Sequence, residues 1–293
     1  MTRRTSAFLA PALLALVVGL GGCSDDDQPS DPASTGSGAG SGGSSGPDNA
    51  YVALGDSYAA APGVPETDPA AGCLRSSSNY AHLVAEETGL SLVDATCSGA
   101  DTADVLAKQV QRVTPDTELV TIGIGGNDSD LFTRLIGACA QASGSDPQGS
   151  PCTDTIAAEA ESTLTRTADS IGEVLDAITT AAPEAQVVVV GYPDLLPARG
   201  SCPDLVPIAA GDYAFVNEVT HGLSDALEAA ATERDLDFID LRGPSQGHSI
   251  CSDDPWINGA TTAPDGTIPF HPFAEEQAAV ADLVVAQVGP GVS

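Results

Sequence analysis

Lysine is nearly missing from this chain. Lys108 is the only one, and with nine arginines it faces 41 Asp and Glu residues, for a formal net charge of -31. Phosphate backbones are held by clustered Lys and Arg, so nucleic acid is excluded as a partner class. The same acidity opposes electrostatic adsorption to anionic lipid and reads as solubility or salt tolerance. No Cys-x-x-Cys or His-x-x-x-His spacing occurs, which removes the usual zinc ligand sets, and no metal or cofactor is expected. No apolar run reaches the ~20 residues a membrane-spanning helix needs. Internal repeats are absent, and Trp256 is the only tryptophan.

What is present begins with an export signal. Arg3 and Arg4 precede an apolar run over residues 7–20, followed by Leu20-Gly21-Gly22-Cys23, the layout of a signal peptide. Small residues before a cysteine resemble the lipobox of bacterial lipoproteins, which makes residues 1–22 a lipoprotein signal and Cys23 the lipidated first residue. An ordinary secretory peptide is the alternative. Membrane attachment then rests on the acyl chains alone, since a tether follows: residues 23–49 are rich in Gly, Ser and Asp and have too little apolar surface to offset the entropy of ordering. Residues 50–293 suit one domain with a full core.

Within that domain, strand signals alternate with helical ones. Short apolar or β-branched runs at 51–54, 91–95, 119–124, 186–191 and 237–241 read as strands buried on both faces. Helices are expected near 79–88, 102–111, 128–141, 153–181, 208–234 and 273–288. Over 153–181, Ile156, Ala160, Leu164, Ala168, Ile171, Leu175 and Ile178 recur three or four apart, one apolar helix face that Pro183 ends. Such alternation implies right-handed crossovers and a parallel sheet between helical layers, with ligands bound outside the carboxyl ends of the strands.

Three chemically suggestive residues stand at such ends. Ser57 follows the first strand in Val52-Ala53-Leu54-Gly55-Asp56-Ser57-Tyr58, Gly99 follows the second, and Asn127, in Gly125-Gly126-Asn127-Asp128, follows the third. A serine becomes a useful nucleophile when exposed and paired with a base. Each motif alone also fits a turn or a helix cap. Their convergence on one rim, with Phe270-His271-Pro272 near the C-terminus, favours catalysis. Among the four histidines, His82 and His221 fall within helical patterns, whereas His248 competes with His271 for the role of base.

In this order the blocks resemble the SGNH/GDSL hydrolases, with Ser57, Gly99, Asn127 and His271 at the four name-giving positions. Further likeness to secreted actinobacterial esterases runs through Gly72-Cys73-Leu74-Arg75-Ser76, Gly191-Tyr192-Pro193 and the stretch from Gly247 to Trp256. The resemblance implies a flavodoxin-like three-layer α/β/α sandwich with a central parallel sheet of about five strands. It implies an esterase or lipase acting through an acyl-serine, with Ser57 as nucleophile and His271 as base. The N–H groups of Ser57 and Gly99 and the amide of Asn127 form the oxyanion hole.

Most of that family carries Asp three residues before the histidine, where this chain has Ile268. The backbone carbonyl of Ile268 is the expected orienter of the imidazole, with Asp265, Asp253 or Asp254 as alternatives. After Cys23, six cysteines remain, an even number in an exported chain. Proximity and the resemblance together favour Cys73–Cys97, Cys139–Cys152 and Cys202–Cys251. The expected partner is a small-molecule or lipid ester, met by a monomer. Acyl transfer to, or deacetylation of, a cell-wall glycan or lipid uses the same residues, and a non-catalytic surface binding lipoprotein is the remaining alternative.

Overall fold

The computed structural model describes residues 50–69 and 72–289. The signal segment, Cys23 and the tether lie outside the described residues. In chain order the elements are β1 (Tyr51–Gly55), α1 (Ser57–Ala60), a small antiparallel pair β2 (Thr67–Asp68) and β3 (Arg75–Ser76), α2 (Tyr80–Thr88), β4 (Leu92–Asp94), α3 (Thr102–Asp104), β5 (Leu119–Gly123), α4 (Leu131–Ala142), α5 (Thr153–Ala181), β6 (Gln186–Val190), α6 (Tyr213–Thr232), β7 (Asp237–Ile239) and α7 (Ala274–Val288).

The central sheet is wholly parallel in the order β4-β1-β5-β6-β7. Taken by sequence, this is the 2-1-3-4-5 order of flavodoxin-like doubly wound folds. Strand periodicity builds the two helical layers. On β1, Val52 and Leu54 pack with Ile171, Val174, Leu175 and Ile178 of α5 and Leu223 and Leu227 of α6, while Tyr51 and Ala53 face Tyr80, Ala81 and Val84 of α2 and Val280 and Val284 of α7. A third cluster joins α4 to the loops around Leu195, Val206 and Trp256.

Several boundaries differ from the sequence expectation, each for a local reason. The third expected helix, 128–141, enters its α-helical part only at Leu131, because Ser129 and Asp130 take φ of +52° and +57°. The one expected from 208 starts at Tyr213. Backbone bonds draw Ala210 and Gly211 to the Pro147–Gly149 loop, and the buried Asp212 carboxylate accepts the N–H groups of Cys152 and Thr153, capping α5 across space. The expected 102–111 helix is α-helical for one turn, widens over Val105–Gln109 and tightens over Val110–Arg112. The β2–β3 pair has no counterpart among the expected strands.

Disulfides join Cys73 to Cys97, Cys139 to Cys152 and Cys202 to Cys251. The first anchors the loop that carries Gly99, and the second ties the end of α4 to the start of α5.

Candidate active site

Strand β1 ends at Gly55 because nothing larger fits there. Its φ is +137°, and a Cβ would stand 2.5 Å from the carbonyl oxygen of Gly123. The side chain of Gln109 grips the same residue twice, accepting from Gly55 N–H at 2.8 Å and donating to its carbonyl at 2.9 Å. Asp56 then caps α1 by accepting Tyr58 N–H at 2.9 Å, which makes Ser57 the first residue of the helix. The serine is 7% exposed, so it lies in the floor of the rim and is less open than the sequence reading implied. Its hydroxyl forms no hydrogen bond among the described residues.

Asp56 is only 1% exposed and accepts from the hydroxyl of Tyr192 on its second oxygen. Desolvation raises its pKa to about 6, against the opposing hydrogen bonds from Tyr192 and Tyr58. Tyr192 also accepts Gly126 N–H at 3.2 Å. One phenol thus connects the Ser57 turn to the loop of Asn127.

That loop is stitched to the Gly99 loop. Asn127 Nδ2 donates to Ala100 O at 2.9 Å, and the Asp128 carboxylate accepts the hydroxyl and N–H of Thr102. An amide NH₂ has two donors, so Asn127 keeps one beyond the bond that aims it. Its side chain does not cap the turn that follows. Gly99 has φ +84°, and the loop around it is fixed by Ser98 N–H on Cys73 O and Cys97 N–H on Gly55 O.

His271 enters from the far end of the chain. Residues Trp256–Gly259 pair antiparallel with Phe270–Phe273 through Asn258 N–H to His271 O, Phe270 N–H to Gly259 O and Phe273 N–H to Trp256 O. Its ring lies 5.8 Å from that of Tyr58, and the Tyr58 hydroxyl donates to Phe270 O at 2.9 Å. The residues next to the serine and next to the histidine are therefore tied directly.

The orienting carbonyl belongs to Pro269 and not to Ile268. His271 Nδ1 lies 2.7 Å from Pro269 O. A carbonyl only accepts, so Nδ1 carries the hydrogen and Nε2 the lone pair. The shift by one residue follows from Phe270, which holds φ at +59° and folds the chain back so that the carbonyl two positions earlier meets the ring. Ile268 O is taken by Asn258 Nδ2 at 3.1 Å. Asp265 turns to its own loop, accepting Thr267 N–H at 2.9 Å. Burial lowers the pKa of His271 below 6.5, with the Pro269 carbonyl opposing. The acid limb of a kcat/KM profile should accordingly bend below pH 6.5 and be flat across neutrality; a limb above 6.5 would show that a carboxylate holds the ring.

The other histidines are occupied elsewhere. His248 stacks on Trp256 with centroids 4.6 Å apart and bonds Asp254 O. His221 pairs with Asp194 at 2.6 Å, and His82 bonds Asn79 at 2.8 Å. Among the described residues no group of three metal-ligating side chains forms.

The family model for GDSL-like lipases and acylhydrolases matches residues 53–279. The chain belongs to this family. It is 39% identical over 238 residues to Lipase 2 of Streptomyces coelicolor, covering 76% of this chain and 80% of that one. It is 35% identical over 230 residues to a lipase of Streptomyces rimosus, covering 78% and 82%. The crystal structure of the extracellular lipase of S. rimosus superposes with a TM-score of 0.70 at 33% identity, over 82% of this chain and 99% of that one. A phospholipase A1 of Streptomyces albidoflavus gives 0.70 at 28% identity, over 81% and 98%. The protein is a serine ester hydrolase of the GDSL type.

Sequence reasoning missed three residues that hold this site together. Tyr192 was visible only as part of Gly191-Tyr192-Pro193. Gln109 sits inside a helical pattern with nothing to mark it. Gln277, fully buried, donates to Tyr58 O at 3.0 Å and accepts Tyr80 N–H at 2.8 Å, linking the helix after His271 to the helix that carries Ser57.

Proposed function

We propose that Ser57 attacks the ester carbonyl while His271 Nε2 removes its proton. The oxyanion then develops against the N–H groups of Ser57 and Gly99 and the second amide hydrogen of Asn127. Removal of one such donor costs about 3 kcal/mol of barrier in a typical case. The imidazolium returns its proton to the leaving alcohol, and water, deprotonated by the same nitrogen, releases the acid from acyl-Ser57. One observation supports this reading above the others: Nδ1–H is committed to Pro269 O, which leaves Nε2 as the base on a loop bound to Tyr58. A carbonyl fixes the tautomer but gives the imidazolium less charge stabilisation than a carboxylate.

The enzyme acts as an exported monomer held at the cell surface through lipidated Cys23. Its disulfides and the extracellular S. rimosus relative support export. Partitioning of the acyl-enzyme tests hydrolysis against transfer. With a p-nitrophenyl ester and added glycerol, the free acid should remain the main product, and p-nitrophenol release should be unchanged by a chelator. Predominant formation of glyceryl ester would make the protein an acyltransferase.

A further inference from the structure

Two residues beyond Asn127, at Ser129, the chain reaches a crevice that the mechanism leaves unused. Asp130 N–H bonds Asn127 O, so Ser129 stands within one turn of the oxyanion loop. Ser129 lines a cavity of about 70 Å³ between α4 and α5. Leu131, Leu135 and Ala138 form one wall; Ile156 and Ala160 form the other. From Leu131 to Ala138 the helical rise of 1.5 Å per residue gives a run of about 10 Å. Next to Ala138, Cys139 is bridged to Cys152 before α5, tying the two helices together.

Across the outer side of this crevice Arg134 pairs with Glu159, both side chains more than half exposed. An exposed ion pair is worth little and is readily parted. A narrow slot with largely apolar walls and a weak ionic roof, starting two residues from Asn127, has the shape and chemistry for a single alkyl chain.

We infer that the α4–α5 crevice is the subsite for the acyl chain of the ester. The inference rests on the Ser57 mechanism above and deepens it by naming the acyl group. Binding there favours chains long enough to fill the slot and discriminates against those that overrun the disulfide. Each methylene buried contributes about fourfold in kcat/KM.

Rates on p-nitrophenyl acetate, octanoate and palmitate test this with the purified domain. The native enzyme should prefer octanoate over acetate by tenfold or more and should disfavour palmitate relative to octanoate. Ala138→Phe places a ring in the slot and should lower the octanoate-to-acetate ratio of kcat/KM at least tenfold, the loss falling on octanoate. Should that variant fail to fold, Arg134→Trp, at an exposed position on the roof, takes its place with the same expected direction. A folded variant of either kind with an unchanged ratio overturns the subsite while leaving the mechanism intact, as does a native enzyme indifferent to chain length. Absence of turnover on all three esters by the native enzyme overturns the mechanism and the subsite together.

Discussion

Ser57→Ala and His271→Ala are each expected to lower turnover of a short aryl ester by at least about four orders of magnitude, and the double variant by no more than the worse single one. In the proposed mechanism the two side chains act as one unit: without the base the hydroxyl is not activated, and without the hydroxyl the base has nothing to activate. Asp265→Asn should leave the rate within about threefold. Its carboxylate serves Thr267 N–H, while the imidazole is held by Pro269 O. In serine proteases the change of a triad aspartate to asparagine costs about 10⁴ in turnover, so the two outcomes are far apart. A loss of that size at Asp265, in a folded protein, would mean that the loop rearranges to complete a triad.

Stability should fall as pH rises from about 4.5 to about 8, and Glu276 is the main cause. This carboxyl sits in the first turn of α7, 2% exposed, beside a small cavity that Tyr58, Tyr80 and Tyr192 also line. Desolvation raises its pKa from 4.5 to about 8, and the hydrogen bond from Gln277 offsets little of that. Below 4.5 the group is neutral in both folded and unfolded chains and costs nothing. Between 4.5 and 8 the unfolded chain ionises it and the folded chain does not, so stability is lost across that window and levels off above it. The shift corresponds to about 5 kcal/mol.

Glu276→Gln removes this dependence. Urea unfolding at pH 5 and pH 8 should show the variant gaining several kcal/mol over the native chain at the higher pH and little at the lower. Asp56, whose pKa burial also raises, to about 6, contributes to both curves and cancels in their difference. Parallel curves would mean that Glu276 reaches water.

The contrast between Glu276 and Ser57 shows where sequence reasoning succeeds. Val187–Val190 and Leu119–Ile124 announce strands because only a doubly covered sheet buries such runs, and once the strands are parallel their ends must share a rim. Ser57, Gly99 and Asn127 fall there for that reason. By contrast, a glutamate in a first helical turn reads as a surface residue favoured by the helix dipole, and nothing local announces that α7 turns it inward. The orienting carbonyl was misplaced for a similar reason: a left-handed phenylalanine at 270 has no signature in sequence, yet it decides whether Ile268 or Pro269 faces the ring. Gln109, Gln277 and Tyr192 act over separations of 54 to 219 residues, beyond the reach of any local pattern.

The central claim is that Ser57 is activated by His271 without a carboxylate. Treatment of the purified domain with a fluorophosphonate, followed by peptide mass spectrometry, addresses it most directly. A single phosphonyl adduct should form on Ser57, its rate rising through a pKa below 6.5 and falling by orders of magnitude in His271→Ala while Asp265→Asn labels as the native enzyme does. An adduct on another serine, or undiminished labelling of Ser57 in His271→Ala, would contradict the account.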